Sequence, residues 1–385
     1  MALLAIACRV VRATWPIASL MTLVLPSALL LVLVAIEAFV LRVVQKKDVP
    51  WNEVVFNLNS GHTVLWLFRG LEIAVFHAVH SRFSLALVDD LHPAVQFVVA
   101  LVFWDFCFYW LHRLHHAWGI LWAVHVVHHE GEHFSLSLGI RNSWYSSITS
   151  IPFFLVLAVI GIPTEVFIAV GGIHYFIQFY NHNALVRKSG FLERVMITPS
   201  HHRAHHGKNE PYVNCNFGGT LVVWDKLFGT FQKELDGVPV EFGTDDHVPT
   251  DNVFWASNLP ILTWLGWPLP EFKPVARTLK GVWIWTAGLL SFAILLVYIH
   301  AEASWPSFDR NVLLTYGAAS AIAIGGMTDG RLWGRLTWAG IHLLALEFCI
   351  ERECWQMSPI GMVSVMALLH AAFTCRDSSW TRTSA

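Results

Sequence analysis

The amino-acid sequence predicts an all-α integral membrane protein, a helical bundle to which a second, C-terminal bundle of transmembrane helices is appended. Three observations predict it. The 385 residues are 55% hydrophobic and only 14% charged, against roughly 25% charged in a soluble domain. Mean hydropathy is +0.52, with 19 Trp and 26 Phe, a composition of the membrane class. Apolar segments recur at helix length, and histidines stand between them: 13 of the 21 fall between His112 and His206. The net charge of −2 and the lack of a basic stripe argue against a nucleic-acid partner. The six cysteines, Cys8, Cys107, Cys215, Cys349, Cys354 and Cys375, form no CxxC pair, which argues against a disulfide framework or a thiolate zinc site.

In chain order, residues 1–16 form a short arm with Arg9 and Arg12, and residues 17–41 are apolar except for Glu37. That stretch is long enough to cross about 30 Å of hydrocarbon and reads as a signal anchor rather than a cleaved leader. Residues 62–80 form a weaker span, interrupted by Arg69, Glu72, His77 and His80; Arg69 and Glu72, three apart, can pair on one helical face. Residues 93–111 form a clearer span. Asp105, Tyr109 and His112 lie on one of its faces. An acid at that depth needs a partner, and Asp105 is expected to orient a ligand histidine.

Residues 145–160 and 164–180 are apolar and joined by Gly161-Ile162-Pro163, which predicts a helical hairpin. Each arm of about 16 residues is roughly 24 Å long. A hairpin returns the chain to the side it left, so residues 125–129 and 201–206 are expected on one membrane face. Residues 207–250 read as a structured loop over the boxes, and 253–272, rich in Trp and Pro, as an interfacial belt. Four apolar segments follow near 281–299, 311–326, 333–350 and 357–374. The expected division is 1–92 for N-terminal helices, 93–243 for the histidine-box domain, 244–275 for a connector and 276–385 for the C-terminal transmembrane region. Arg42, Lys46, Lys47, Arg113, Arg187 and Lys188 fall on the histidine face, which the positive-inside rule makes cytoplasmic.

Side chains three or four apart share a helical face. His112 and His116 can therefore converge on one metal. His125, His128 and His129 repeat the spacing, as do His202, His205 and His206, and each triplet is expected to present one face. His182, at the box-facing end of the hairpin, is a ninth candidate, with Gln178 and His174 on the same side. A lone HxxxH is commonly structural; the three boxes together point to a metal site. Eight or nine nitrogen ligands are too many for one ion and suit two, and spacing alone does not name the metal. His115, His133, His174 and His201 are expected to be neighbours rather than ligands. Asp105, Tyr109 and Glu132 are the candidate supporting residues.

The boxes, with Asp105-Phe-Cys-Phe-Tyr-Trp-Leu-His112-Arg before them, resemble the fatty acid hydroxylase/sterol desaturase superfamily of membrane di-iron enzymes. Within it the likeness is to the alkylglycerol monooxygenase branch, through Thr198-Pro-Ser-His-His-Arg-Ala-His-His-Gly207, the stretch from Asn216 to Phe231, and Glu132 with Arg141. The resemblance implies two iron ions on His112, His116, His125, His128, His129, His202, His205 and His206, joined by His182. It also implies an oxygen-dependent enzyme that inserts oxygen into a C–H bond of a lipid, including O-alkyl cleavage of an ether lipid. A fatty acid or sterol hydroxylase or desaturase is the alternative within the superfamily, and a membrane metal-binding or transport protein the alternative outside it. Tetrahydrobiopterin or another external reductant is the implied co-reactant, and the electron donor is separate, because His92-Pro93 is followed by Ala94-Val95 rather than the glycines of a haem-binding HPGG motif. The chain departs from the branch at Ala117, where a glutamate is expected, and at Gln178, where some relatives carry another histidine.

Overall fold

The computed structural model describes residues 21–60, 62–245, 250–269, 277–278, 281–301, 304–352, 358–376 and 381–382. The regular structure is helical apart from a two-residue ladder between Arg277–Thr278 and Thr381–Arg382 and a single bridge between Met196 and Leu221, with irregular segments joining the helices. The helices are α1 (Met21–Phe39), α2 (Trp51–Ser60), α3 (His62–Phe83), α4 (Pro93–Ala117), α5 (Gly119–His129), α6 (Ser146–Ile160), α7 (Thr164–Asn181), α8 (Pro199–His205), α9 (Val223–Phe228), α10 (Val253–Trp264), α11 (Gly281–Ala301), α12 (Ser307–Thr328), α13 (Leu332–Glu351) and α14 (Ser358–Arg376). The arm over residues 1–16 and the first residues of the expected N-terminal span lie outside the described residues. Among the described residues, Pro93–Ala117, Gly281–Ile299 and Ser307–Thr328 are long and apolar enough to cross a membrane. Helices α3 and α13 occupy two further expected spans but are not in that set; their charged residues, Arg69 and Glu72 in one and Arg335, Glu347 and Glu351 in the other, lower their apolar character.

The chain divides into two compact units, one from Ile36–Lys47 and Leu65–Val248, the other from Asp48–Val64 and Pro249–Ala385 with the described part of 16–35. In the first, α4 packs against α5, α6 and α7. Trp104 of α4 stacks on Phe154 of α6 at 4.1 Å, and Phe76 of α3 stacks on Phe167 of α7 at 3.9 Å. Large rings fill the gaps between apolar helices, where dispersion and ring stacking replace contact with lipid. The Arg69–Glu72 pair forms as the spacing predicts, and Ser150 Oγ of α6 donates to the second carboxylate oxygen of Glu72 at 2.6 Å. The acid is thereby satisfied inside the apolar layer. In the second unit α12, α13 and α14 pack in sequence, with α11 against α12, α14 and α2; Ile284, Ile324, Met327, Trp338 and Ala367 form its core.

The hairpin α6–α7 turns at Gly161, whose φ of +111° lies in the left-handed region. A Cβ there would stand 3.1 Å from the Ala86 Cα. Main-chain bonds from Leu85 N to Val159 O and from Leu87 N to Ile160 O hold the neighbouring loop against the turn. Glycine is thus required by conformation and by space. Gly161→Val is expected to destabilise the protein by about 1–3 kcal/mol, read as a lowered thermal midpoint in detergent.

Candidate metal centre

Box 1 occupies the last turns of α4, box 2 the end of α5, and box 3 the short α8 with His206 as its C-cap. His182 caps the C-terminus of α7. The hairpin delivers box 3 beside box 2, and nine imidazoles gather in two nests. His112, His116, His125, His129 and His205 form one; His128, His182, His202 and His206 form the other, with ligand atoms within 4.8 Å of one another in each. The expected single face of each triplet is corrected here. In boxes 2 and 3 the residues four apart serve one nest and the residue between them the other: His125 and His129 against His128, His202 and His206 against His205. At about 100° per residue, positions i and i+4 diverge by only about 40°, whereas i+3 and i+4 diverge by about 100°. The two boxes therefore interlock, each supplying both nests.

Main-chain carbonyls set the imidazole orientations. His112 Nδ1 lies 3.0 Å from Phe217 O, His128 Nδ1 2.8 Å from Arg141 O, His182 Nδ1 2.7 Å from Gln178 O, and His205 Nδ1 2.8 Å from Cys215 O. A carbonyl only accepts, so in each ring Nδ1 carries the proton and Nε2 presents its lone pair. These lone pairs converge. His182 Nε2 is 3.2 Å from His128 Nε2, 3.0 Å from His202 Nε2 and 3.1 Å from His206 Nε2. His125 Nε2 is 3.0 Å from His112 Nε2 and 3.2 Å from His129 Nε2. The Nε2 atoms of His116 and His205 are buried without a hydrogen-bond partner.

The donor set fits metal ions. Nitrogens bound to one ion at ~2.1 Å stand roughly 2.9–3.4 Å apart across coordination angles from octahedral to tetrahedral, the range seen between these atoms. His128 and His182 face each other with both ring protons committed to carbonyls, so their contact is favourable only around a cation. An added proton is disfavoured: burial, reinforced at most positions by neighbouring imidazoles, lowers His125, His129, His182, His202 and His206 well below the usual histidine range. Burial brings His128 down to about 4 and His205 to about 3.

Three supporting assignments change. Asp105 does not bond a nest histidine. Its carboxylate accepts from Thr220 N at 2.7 Å, Leu221 N at 2.9 Å and Trp224 Nε1 at 2.9 Å, because its helical face meets the 216–222 loop. The Tyr109 hydroxyl likewise bonds Thr230 and Arg113 rather than a nest histidine. Arg113 Nη1 donates to the Tyr109 hydroxyl at 3.1 Å. Thr230 donates its own proton to Asp225 at 2.6 Å, so Tyr109 donates to Thr230 Oγ1 at 3.1 Å. Glu132 is exposed; the buried acid is Glu130, paired with Arg141 at 2.7 Å. That pair fixes the residue whose carbonyl orients His128. Burial raises Glu130 to about 7 against the pull of Arg141.

Asp225 and Asn216 have no predicted role, yet both are fully buried. Asp225 accepts from Phe217 N at 2.8 Å and Gly218 N at 2.7 Å. Asn216, at φ +54°, donates from Nδ2 to His201 O and Gln232 O and accepts from Gln232 N. Together they aim the Cys215 and Phe217 carbonyls at His205 and His112. Their signal in the sequence is the stretch from Asn216 to Phe231, which carries the resemblance as a whole without giving either residue a role. The expected neighbours behave as such: His115 Nε2 bonds Thr149 Oγ1, His174 Nδ1 bonds Thr220 Oγ1, His201 packs on Phe231, and His133 is exposed. Gln178 sends its side chain to Gly219 O and serves His182 through its carbonyl.

Fold and site together describe a helical membrane protein of the histidine-box type, with side chains placed to hold metal. Residues 97–230 match the family described as fatty acid hydroxylase. Alkylglycerol monooxygenase of Danio rerio is 36% identical over 244 residues, covering 62% of this chain and 53% of that protein. The Homo sapiens alkylglycerol monooxygenase is 40% identical over 171 residues, 44% of this chain and 38% of its own. An ornithine lipid hydroxylase of Rhizobium tropici is 32% identical over 190 residues, 44% of this chain and 55% of that protein. The chain thus spans about half the length of the curated relatives it matches. No solved structure matches it.

Asn216→Ala is expected to weaken metal binding by about 10- to 100-fold, read by titration of the purified protein. A pH dependence also follows. Depressed histidines stay neutral in the folded chain while the unfolded chain takes up protons, so stability is lost as pH falls from about 6.5 towards 4. Asp225, raised by burial to about 6, and Glu130 act in the opposite sense, but seven histidines outnumber them. The thermal midpoint of metal-free protein is expected to fall between pH 7 and pH 5.

Proposed function

We propose that the chain is a membrane-bound di-iron lipid monooxygenase. The observation that carries this reading is the pair of imidazole nests, with Nε2 atoms 3.0–3.2 Å apart, inside a segment that matches the fatty acid hydroxylase family. His112, His116, His125, His129 and His205 would hold one iron, and His128, His182, His202 and His206 the other. Iron suits nitrogen donors and is redox-active, unlike zinc, and when bound supplies activation of dioxygen for oxidation of a C–H bond. The chain's own residues prepare that centre. The carbonyls behind Nδ1 keep four ligands in one tautomer. Phe217 stands against His112, His116 and His205, Trp122 against His116 and His129, and Phe134 against His182, His202 and His206, which excludes water from the donors.

The substrate is a lipid, reached from the bilayer in which α4 lies, and the nests face the cytoplasm by the charge asymmetry of the loops. Electrons come from a separate donor, tetrahydrobiopterin or another external reductant. Oxidation at the ether carbon of an alkyl glycerol lipid gives a hemiacetal, which collapses to an aldehyde and the glycerol lipid. Hydroxylation of a different lipid is the second reading, favoured by Ala117 and by the likeness to a bacterial ornithine lipid hydroxylase. A metal transporter is disfavoured, because the nine donors close on each other instead of lining a path.

Purified protein is expected to carry about two irons per chain. Lipid mass spectrometry of cells expressing the wild type should show an oxidised lipid that His128→Ala abolishes. A fatty aldehyde supports ether cleavage, and a hydroxylated chain supports the second reading. A chain without metal, and cells with unchanged lipids, would overturn the proposal.

A further inference from the structure

Glu37 interrupts the apolar stretch 17–41, and the proposed chemistry does not use it. Its side chain is buried, 3% exposed. The carboxylate accepts two main-chain N–H groups, from Leu136 at 2.6 Å and from Ala184 at 2.8 Å. These donors are far apart in sequence, yet both flank one imidazole. Ala184 lies two residues beyond His182. Leu136 lies two residues beyond Phe134, whose ring stacks on His182 with centroids 5.6 Å apart and planes 22° apart.

His182 is the hub of its nest, since its Nε2 touches the Nε2 atoms of His128, His202 and His206. Like His206, it stands at a helix C-cap rather than within a helix. It caps α7 at φ −85° and ψ 8°, and the chain beyond it runs as an irregular segment. A buried carboxylate in an apolar helix is costly unless hydrogen-bonded. Among the described residues, Glu37 is hydrogen-bonded to the two segments on either side of the His182 imidazole. We infer that Glu37 is a positioning residue for this nest: it ties residues 134–136 to residues 182–184 and so fixes the imidazole of His182 on its metal. The inference rests on the reading of the nests as metal sites.

Cobalt(II) titration of the full-length protein tests it, followed by metal content and by the visible d–d absorption of the bound ion. Glu37→Gln sets an amide N–H2 against one main-chain donor. Glu37→Asp shortens the reach by one methylene and carries the same comparison should the Gln variant not fold. The wild type is expected to take up two equivalents. The variants should bind the first with wild-type affinity and the second about 10- to 100-fold more weakly, the range for losing a bond behind a ligand histidine. The d–d band of the first equivalent should be unchanged. Wild-type affinity for both equivalents would overturn the inference. So would equal weakening of both, which is what a merely structural role gives. A wild-type protein that takes up no cobalt is a separate outcome, and overturns the metal reading itself.

Discussion

The Nδ1–H···O=C bond is the interaction on which the rest of this structure depends. Four imidazoles give their only proton to a main-chain carbonyl, which leaves four Nε2 lone pairs facing the nests. A proton on the wrong nitrogen would turn a donor of electrons into a donor of hydrogen, and the nests would lose their chemistry without losing a residue. The side chains of the nests are therefore governed by main-chain geometry, and main-chain geometry by residues farther out.

Those outer residues are mostly buried acids and amides. Asp105 and Asp225 between them take main-chain N–H groups from Phe217, Gly218, Thr220 and Leu221. The loop from 216 to 222 thus has nearly every free donor satisfied by two carboxylates. Gly219 approaches so closely that a Cβ would collide with His174 and Phe108. Glu130 does equivalent work through Arg141. The chain Arg113, Tyr109, Thr230, Asp225 runs with every proton pointing the same way, each acceptor made stronger by the bond it gives.

Much of this was legible in the sequence, and the reasons are physical. Histidine spacing reports on one helix at a time, so the boxes named the nest members, and the Gly161-Ile162-Pro163 joint showed that boxes 2 and 3 must meet. His182 could be picked out because a hairpin arm has a defined end. Spacing did not reveal that boxes 2 and 3 are shared between nests, because that depends on how three helices are rotated about their axes. The role of Asp105 was misjudged for a related reason. Sharing a face with His112 says nothing of what lies opposite that face, and a loop more than a hundred residues later fills it. Glu132 and Glu130 differ by two positions and are indistinguishable by composition; only the fold buries one and exposes the other. Carbonyl partners leave no mark in a sequence, since every residue has one.

The roster of the two nests has a consequence of its own. All nine gathered donors are neutral imidazoles, and among the described residues no carboxylate joins either nest. Sites that bind divalent ions with aspartate or glutamate bring compensating charge with them; this one, with metal bound, would leave nearly all of the positive charge exposed to its surroundings. A centre so loaded would attract small anions. Azide, cyanide, carboxylates and phosphate would compete for the same electropositive space, and the buffer in which the protein is purified becomes a variable in its behaviour.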